Sequence, residues 1–72
     1  MSDWPWIVRV DQDGTEQERY TVRGFDSEEP AYAVAARLGF SRDEVFRRLR
    51  SKHEMTVLEL PDGREVVSEP SD

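Results

Sequence analysis

The chain has 72 residues, with 16 acidic and 10 basic side chains, a formal net charge of −6 and no cysteine. This length allows one domain with a small core, and the lack of cysteine excludes disulfide bridges and thiolate metal sites. The negative charge argues against general affinity for nucleic acid or anionic lipid. The first residues lack the basic and apolar regions of a signal peptide, and no apolar run approaches the ~18 residues that span a bilayer. We therefore expect a cytoplasmic protein that does not contact membranes.

The first 24 residues predict a β-hairpin. Apolar residues recur at every second position over residues 6–10 and again at Tyr20 and Val22, which is the period of a strand. The dipeptide Asp13-Gly14 between these segments favours a tight turn, because both residues tolerate positive φ. Phe25, directly after the hairpin, is expected to close one end of the core.

Residues 26–39 predict a first helix. Asp26 or Ser27 is suited to cap its start, and Gly39 is placed to end it as the left-handed C′ residue. Apolar residues at spacing i, i+3, i+4, i+7 give this helix a core-facing side: Ala31, Val34, Ala35 and Leu38.

Residues 41–52 predict a second helix, for which Ser41 and Glu44 supply an S-x-x-E capping box and Val45, Phe46 and Leu49 the apolar side. Residues 55–60 and 65–68 predict a second hairpin around a Pro-Asp-Gly-Arg turn. The expected fold is α+β with the order ββααββ, in which the two helices pack with N- and C-terminal hairpins in one small antiparallel sheet. We expect a single domain over residues 1–67 and a disordered polar tail over 68–72.

The predicted helix pair has a characteristic spacing of small and apolar residues. Counting from Ala31, a small residue falls at position five, glycine falls at position nine, and apolar residues fall at positions four, eight, ten and fifteen. Over residues 31–67 this pattern resembles the helix-turn-helix of bacterial and phage regulators, including the MerR and excisionase groups, in which a β-hairpin wing follows the helices. That family usually has an apolar residue at position eighteen, where this chain has Arg48. An ordinary αα-hairpin packed on a sheet is the alternative interpretation.

Positive charge is concentrated in the same segment. Residues 31–53 contain six Lys or Arg and two acidic residues, a net charge of +4 in an otherwise negative chain. In a helix, Asp43 and Glu44 would each precede an arginine by four residues and neutralise part of this charge. The segment is either a solvated face or a contact surface for a negatively charged partner. The candidate partner-binding residues are Arg42, Arg47, Arg48, Arg50 and Lys52.

Two tryptophans near the start of the chain are a second candidate contact. Trp4 and Trp6 flank Pro5. They would either cover one end of a small core or, if exposed, form an aromatic contact with a partner.

The residue content does not predict catalysis. His53 is the only histidine, which makes a zinc site improbable, and no glycine-rich phosphate loop is present. The chain is also too small to enclose a substrate well. We therefore expect a non-enzymatic protein with no metal, no cofactor and no small-molecule substrate.

The leading functional prediction is a transcription regulator that binds a protein of the transcription machinery, either bacterial RNA polymerase or an associated factor, and acts as an inhibitor. In size, acidity and lack of cysteine the chain is similar to small phage-encoded proteins that bind host RNA polymerase. Two alternatives stay open. One is a winged helix-turn-helix protein that binds DNA directly, which the net charge disfavours, and the other is a structural subunit of a phage or another assembly.

Overall fold

The part of the protein described by the computed structural model, residues 3–49 and 55–71, forms a five-stranded antiparallel sheet with one α-helix packed on it. The strand order across the sheet is β2-β1-β5-β4-β3. Within these residues, no helix is long and apolar enough to cross a membrane. The elements in chain order are β1 (Trp4–Gln12), β2 (Thr15–Gly24), α1 (Glu28–Arg37), a 3-10 turn (Arg42–Glu44), β3 (Phe46–Leu49), β4 (Thr56–Glu59) and β5 (Glu65–Pro70).

Both predicted hairpins are present. Between β1 and β2, Asp13 has φ 54° and Gly14 has φ 77°, as a two-residue turn requires when it follows the right-handed twist of its strands. Between β4 and β5, the Leu60 N–H donates to the Arg64 carbonyl oxygen at 2.8 Å, and Gly63 has φ 96°. These turns depend on residues adjacent in sequence, which is why their positions were predictable.

Strand β5 continues further than its composition suggests. Residues 68–70 pair with β1, Ser68 is fully buried, and the Ser71 N–H donates to the Pro5 carbonyl oxygen at 3.2 Å. The polar composition that predicted a disordered tail from residue 68 did not anticipate this pairing, because the partner strand lies at the other end of the sequence.

Helix α1 begins and ends where its sequence predicts. The carboxylate of Asp26 accepts backbone hydrogen bonds from the first turn. At the other end Gly39 adopts φ 101°, and the Phe40 N–H donates to the Ala35 carbonyl oxygen at 3.0 Å. This is a Schellman motif, in which a left-handed glycine ends the helix.

The predicted second helix over residues 41–52 is wrong in its described part, residues 41–49, and residues 50–52 lie outside the described residues. The capping box does form, with the Ser41 N–H 2.7 Å from Glu44 Oε1. Helical structure nevertheless ends after a single 3-10 turn, and Val45 is extended at φ −115° and ψ 151°. Residues 46–49 form the edge strand β3, paired with β4.

The physical reason for this difference is the unpaired edge of β4. A short isolated helix is marginal in water, whereas pairing satisfies the backbone groups on the facing edges of β3 and β4. The aromatic Phe46 at the start of β3 also favours a strand. The order of the described elements is therefore ββαβββ rather than ββααββ, and the helix-turn-helix pair is not formed.

The core lies between α1 and one face of the sheet. It combines valine and leucine side chains from the sheet and its loops with alanine and valine side chains of the helix. Each fully buried aliphatic side chain of this kind stabilises the fold by about 1.5–3 kcal/mol relative to its exposure. The buried cluster comprises Val8, Val10, Ala31, Val34, Ala35, Val45, Leu58, Leu60 and Val66.

Candidate functional site

The predicted basic contact residues do not share one helix face. Arg42 lies in the 3-10 turn, and Arg47 and Arg48 lie on β3. Arg50 and Lys52 lie outside the described residues. The charged surface expected from the sequence is therefore distributed over a turn and an edge strand.

Arg42 and Arg47 both contact α1. Arg47 Nη1 lies 2.6 Å from Glu28 Oε2 in the first turn of the helix. The guanidinium carbon of Arg42 lies 3.9 Å from the centre of the Tyr32 ring, within the range of a cation–π interaction. Glu28 and Tyr32 are one helical turn apart, so both arginines lie beside the same part of the helix.

The two tryptophans have different environments. Trp6 is 5% exposed, and its Nε1–H donates to the Gly24 carbonyl oxygen at 2.9 Å. Trp4, which pairs with Gly24, is 64% exposed. Phe25 is 58% exposed, so the prediction that it closes the core is wrong, because Trp6 and the buried Pro30 already pack around Gly24 at that end.

A groove lies along the outer side of α1, and we call it the α1 groove. Its volume is about 540 Å³. One boundary is the segment of Phe25 and Asp26 that precedes the helix, and another is Arg42, which lies above Tyr32. The remaining lining comes from residues on the exposed side and the flank of the helix: Glu28, Glu29, Tyr32, Ala33 and Ala36.

The middle of the α1 groove is apolar. Ala33 and Ala36 are exposed and lie on one side of the helix, three positions apart. Tyr32 is half-buried and packs against the core, which holds its ring in place under Arg42. The exposed Phe25 lines the same groove, and exposed apolar residues gathered on one surface of a soluble protein often mark a contact site.

The N-terminal end of the α1 groove is acidic. Asp26 Oδ1 accepts the N–H groups of Glu28 and Glu29 at 3.2 and 3.1 Å, and Glu29 Oε1 accepts the Phe25 N–H at 2.9 Å. These bonds fix the carboxylates where the helix dipole favours negative charge. Each bonded carboxylate uses one oxygen, so it retains capacity to accept further hydrogen bonds.

The lining holds three carboxylates and the guanidinium of Arg42, a formal charge of −2, and Glu28 is in addition paired with Arg47 outside the lining. Within the described part of the chain, no group of three or more His, Cys, Asp or Glu side chains is arranged to hold a metal ion. The acidic end is therefore better suited to a cationic side chain than to a coordinated metal.

The face of the sheet away from α1 is a different kind of surface. Arg9 forms an ion pair with Glu69 and has its Nε 3.7 Å from Asp11 Oδ1. On this face of the sheet the apolar residues Val57 and Val67 are buried, while Phe46 on the edge strand β3 is 72% exposed. The α1 groove is the stronger candidate, because it combines a concave shape with exposed apolar residues.

Sequence reasoning did not identify the apolar residues of the α1 groove as a site. A signal was present, since Ala33 and Ala36 are apolar residues on the exposed side of the helix, where charged residues are usual. Arg42 was predicted as a partner-binding residue, but neither its position over Tyr32 nor the contribution of Phe25 to a groove had a signal in the sequence, because the folded chain creates both.

Comparison with known proteins gives no relative: no family model matches the chain, and no curated protein and no solved structure is significantly similar to it. The functional argument therefore depends on the geometry and charge of the α1 groove.

Proposed function

We propose that this protein is a non-enzymatic regulator that acts by binding another protein through the α1 groove. The observation that carries the proposal is that the exposed Phe25 lines the same groove as the exposed Ala33 and Ala36. An exposed aromatic ring next to small side chains offers a partner an anchoring point and a surface that it can approach closely.

The shape of the α1 groove favours a macromolecular ligand over a small molecule. Six of its eight lining residues are exposed, and Glu28 and Tyr32 are half-buried. Small-molecule sites usually bury roughly 70–90% of the ligand surface. A groove whose lining is this exposed would bury less. A protein surface that covers the groove would remove Phe25 from water without having to enter a cavity.

The charge favours a protein over nucleic acid. The lining carries −2 and the whole chain −6, so the phosphate backbone would be repelled. The DNA-binding alternative required a recognition helix, and residues 46–49 form a strand instead. Arg47, one of the candidate partner-binding residues, is paired with Glu28, which lowers its availability for phosphate contacts.

We extend the proposal to the partner predicted from the general character of this small acidic chain, a protein of the transcription machinery such as bacterial RNA polymerase. A stable interface buries about 1,200–2,000 Å² in total, more than the groove alone provides. The partner is therefore expected to cover Trp4 as well, since it is exposed and pairs with Gly24, the residue that precedes Phe25.

The test is capture of RNA polymerase from a bacterial lysate by the tagged full-length chain. Ala33→Arg places a long charged side chain in the α1 groove, and Thr21→Arg adds the same charge at an exposed position of β2 as a matched control. We expect Ala33→Arg to reduce the captured polymerase at least tenfold and Thr21→Arg to leave it unchanged, with both variants folded by circular dichroism.

Equal capture by the wild type and Ala33→Arg would show that the groove is not the interface. Capture of no polymerase subunit would overturn the proposed partner class.

A further inference from the structure

We infer that the α1 groove selects a basic, amphipathic segment of its partner, with a large apolar side chain against Phe25 and the alanines and a Lys or Arg at the acidic N-terminal end. This inference rests on the proposed function and specifies its ligand. The charge of the groove lining favours a positively charged ligand.

The apolar requirement follows from the position of Phe25. Phe25 is 58% exposed and lines the groove together with the small side chains of Ala33 and Ala36. A leucine, methionine or aromatic residue placed there would bury its own surface and that of Phe25 together.

The cationic requirement follows from the carboxylates at the same end. Asp26 and Glu29 are held by backbone hydrogen bonds, so they need little reorganisation to accept a charged donor. Their ordering is already achieved by folding, which reduces the entropy lost on binding. A guanidinium or ammonium group beside them would form charge-assisted hydrogen bonds.

Arg42 further restricts the ligand. Its guanidinium lies over the Tyr32 ring and occupies one side of the groove, so a cation placed there would meet like charge. The basic residue of the partner is therefore directed to the Asp26 end, and the groove gives the bound segment one preferred orientation.

The experiment selects ligands from a random 12-residue peptide library displayed on phage, with the full-length chain as the target. The affinity of an enriched synthetic peptide is then measured by fluorescence polarisation. The key variant combines Asp26→Asn with Glu29→Gln, which removes two charges but keeps amide oxygens to accept the backbone N–H groups. The matched control combines Glu16→Gln with Asp62→Asn, which removes the same charge from exposed positions outside the groove.

We expect enriched peptides to combine a Lys or Arg with a large apolar residue. Their affinity should fall at least tenfold for the Asp26→Asn/Glu29→Gln variant and less than twofold for the control, and it should weaken with added salt. Peptides without basic residues, or equal affinity for both double variants, would overturn the inference.

Ala33→Arg separates this inference from the proposed function. If enriched peptides lose binding to Ala33→Arg but not to Asp26→Asn/Glu29→Gln, the groove is the interface and only the charge selection is wrong. If no enriched peptide depends on Ala33, the inference fails, and capture of polymerase by the wild type and Ala33→Arg decides the proposed function independently.

Discussion

Arg47 on the edge strand β3 forms an ion pair with Glu28 in the first turn of α1, with Nη1 2.6 Å from Oε2. The contact joins the edge strand β3 to the start of the helix, although the two residues are far apart in sequence. Because Glu28 also lines the α1 groove, the ion pair connects the edge of the sheet to the candidate interface.

This ion pair is expected to contribute modestly to stability. The side chains are 44% and 33% exposed, so solvent screens their attraction, and the coupling in a double-mutant cycle of Arg47→Met and Glu28→Gln should be about 0.2–1 kcal/mol. Urea unfolding of the four proteins measures it, and the coupling should shrink in 1 M salt. A coupling that is absent at low salt would show that the pair does not fasten β3 to the helix.

The buried hydroxyl pair beneath the start of α1 is expected to matter more. Ser27 Oγ and Thr56 Oγ1 are 2.6 Å apart, and both residues are buried. Thr56→Val keeps the shape but leaves the serine hydroxyl without this partner, and we expect a loss of about 1–3 kcal/mol in the free energy of unfolding.

The double variant Ser27→Ala/Thr56→Val supplies the control, because it removes both polar groups together. Its loss in urea unfolding should be smaller than the sum of the two single losses. Strict additivity would contradict the role assigned to this hydrogen bond.

The tryptophans offer a matched comparison of a buried and an exposed indole. Trp6→Phe removes the bond to the Gly24 carbonyl oxygen and should lower the free energy of unfolding by about 1–3 kcal/mol. Trp4→Phe, at a residue that is 64% exposed, should change it by less than about 0.5 kcal/mol. Fluorescence checks the environments independently: the emission maximum of Trp4→Phe should lie at a shorter wavelength than that of Trp6→Phe. The reverse order would contradict the burial of Trp6.

A local pH dependence is expected at the β4–β5 turn. The Arg64 side chain donates to Asp62 Oδ2 at 2.8 Å, and this bond, aided by the Arg64 backbone N–H, holds the pKa of Asp62 below its ordinary value. Because the folded-state pKa is the lower one, the stabilisation is present above the unfolded pKa, about 4, and is lost as the pH falls through the lowered value.

Carbon-detected NMR titration of the carboxyl groups measures this directly. Arg64→Gln should raise the pKa of Asp62 towards its ordinary value, whereas Arg19→Gln should leave the pKa of Asp62 unchanged, since Arg19 pairs with Glu16 instead. An Asp62 pKa that is the same with and without Arg64 would contradict the assignment.

Features that depend on neighbouring residues were predictable from the sequence. Asp13-Gly14 turns the first hairpin, Asp26 caps α1 and Gly39 ends it, and each acts through bonds that span only a few residues. The capping box at Ser41 was also recognised, but it begins only a short 3-10 turn, because a capping signal starts a helix without determining how far it continues.

What the sequence by itself determined was therefore the set of local turns, caps and apolar patterns, and the excess of negative charge. Only the tertiary structure decided that residues 46–49 form a strand, since the competing edge of β4 lies beyond the next loop and its pairing outweighs a marginal helix. Tertiary packing also placed Trp6 in the core while leaving Trp4 and Phe25 exposed. The α1 groove also depends on tertiary structure. Phe25 precedes the helix and Arg42 follows it, and the fold of the chain places both in the lining of the groove.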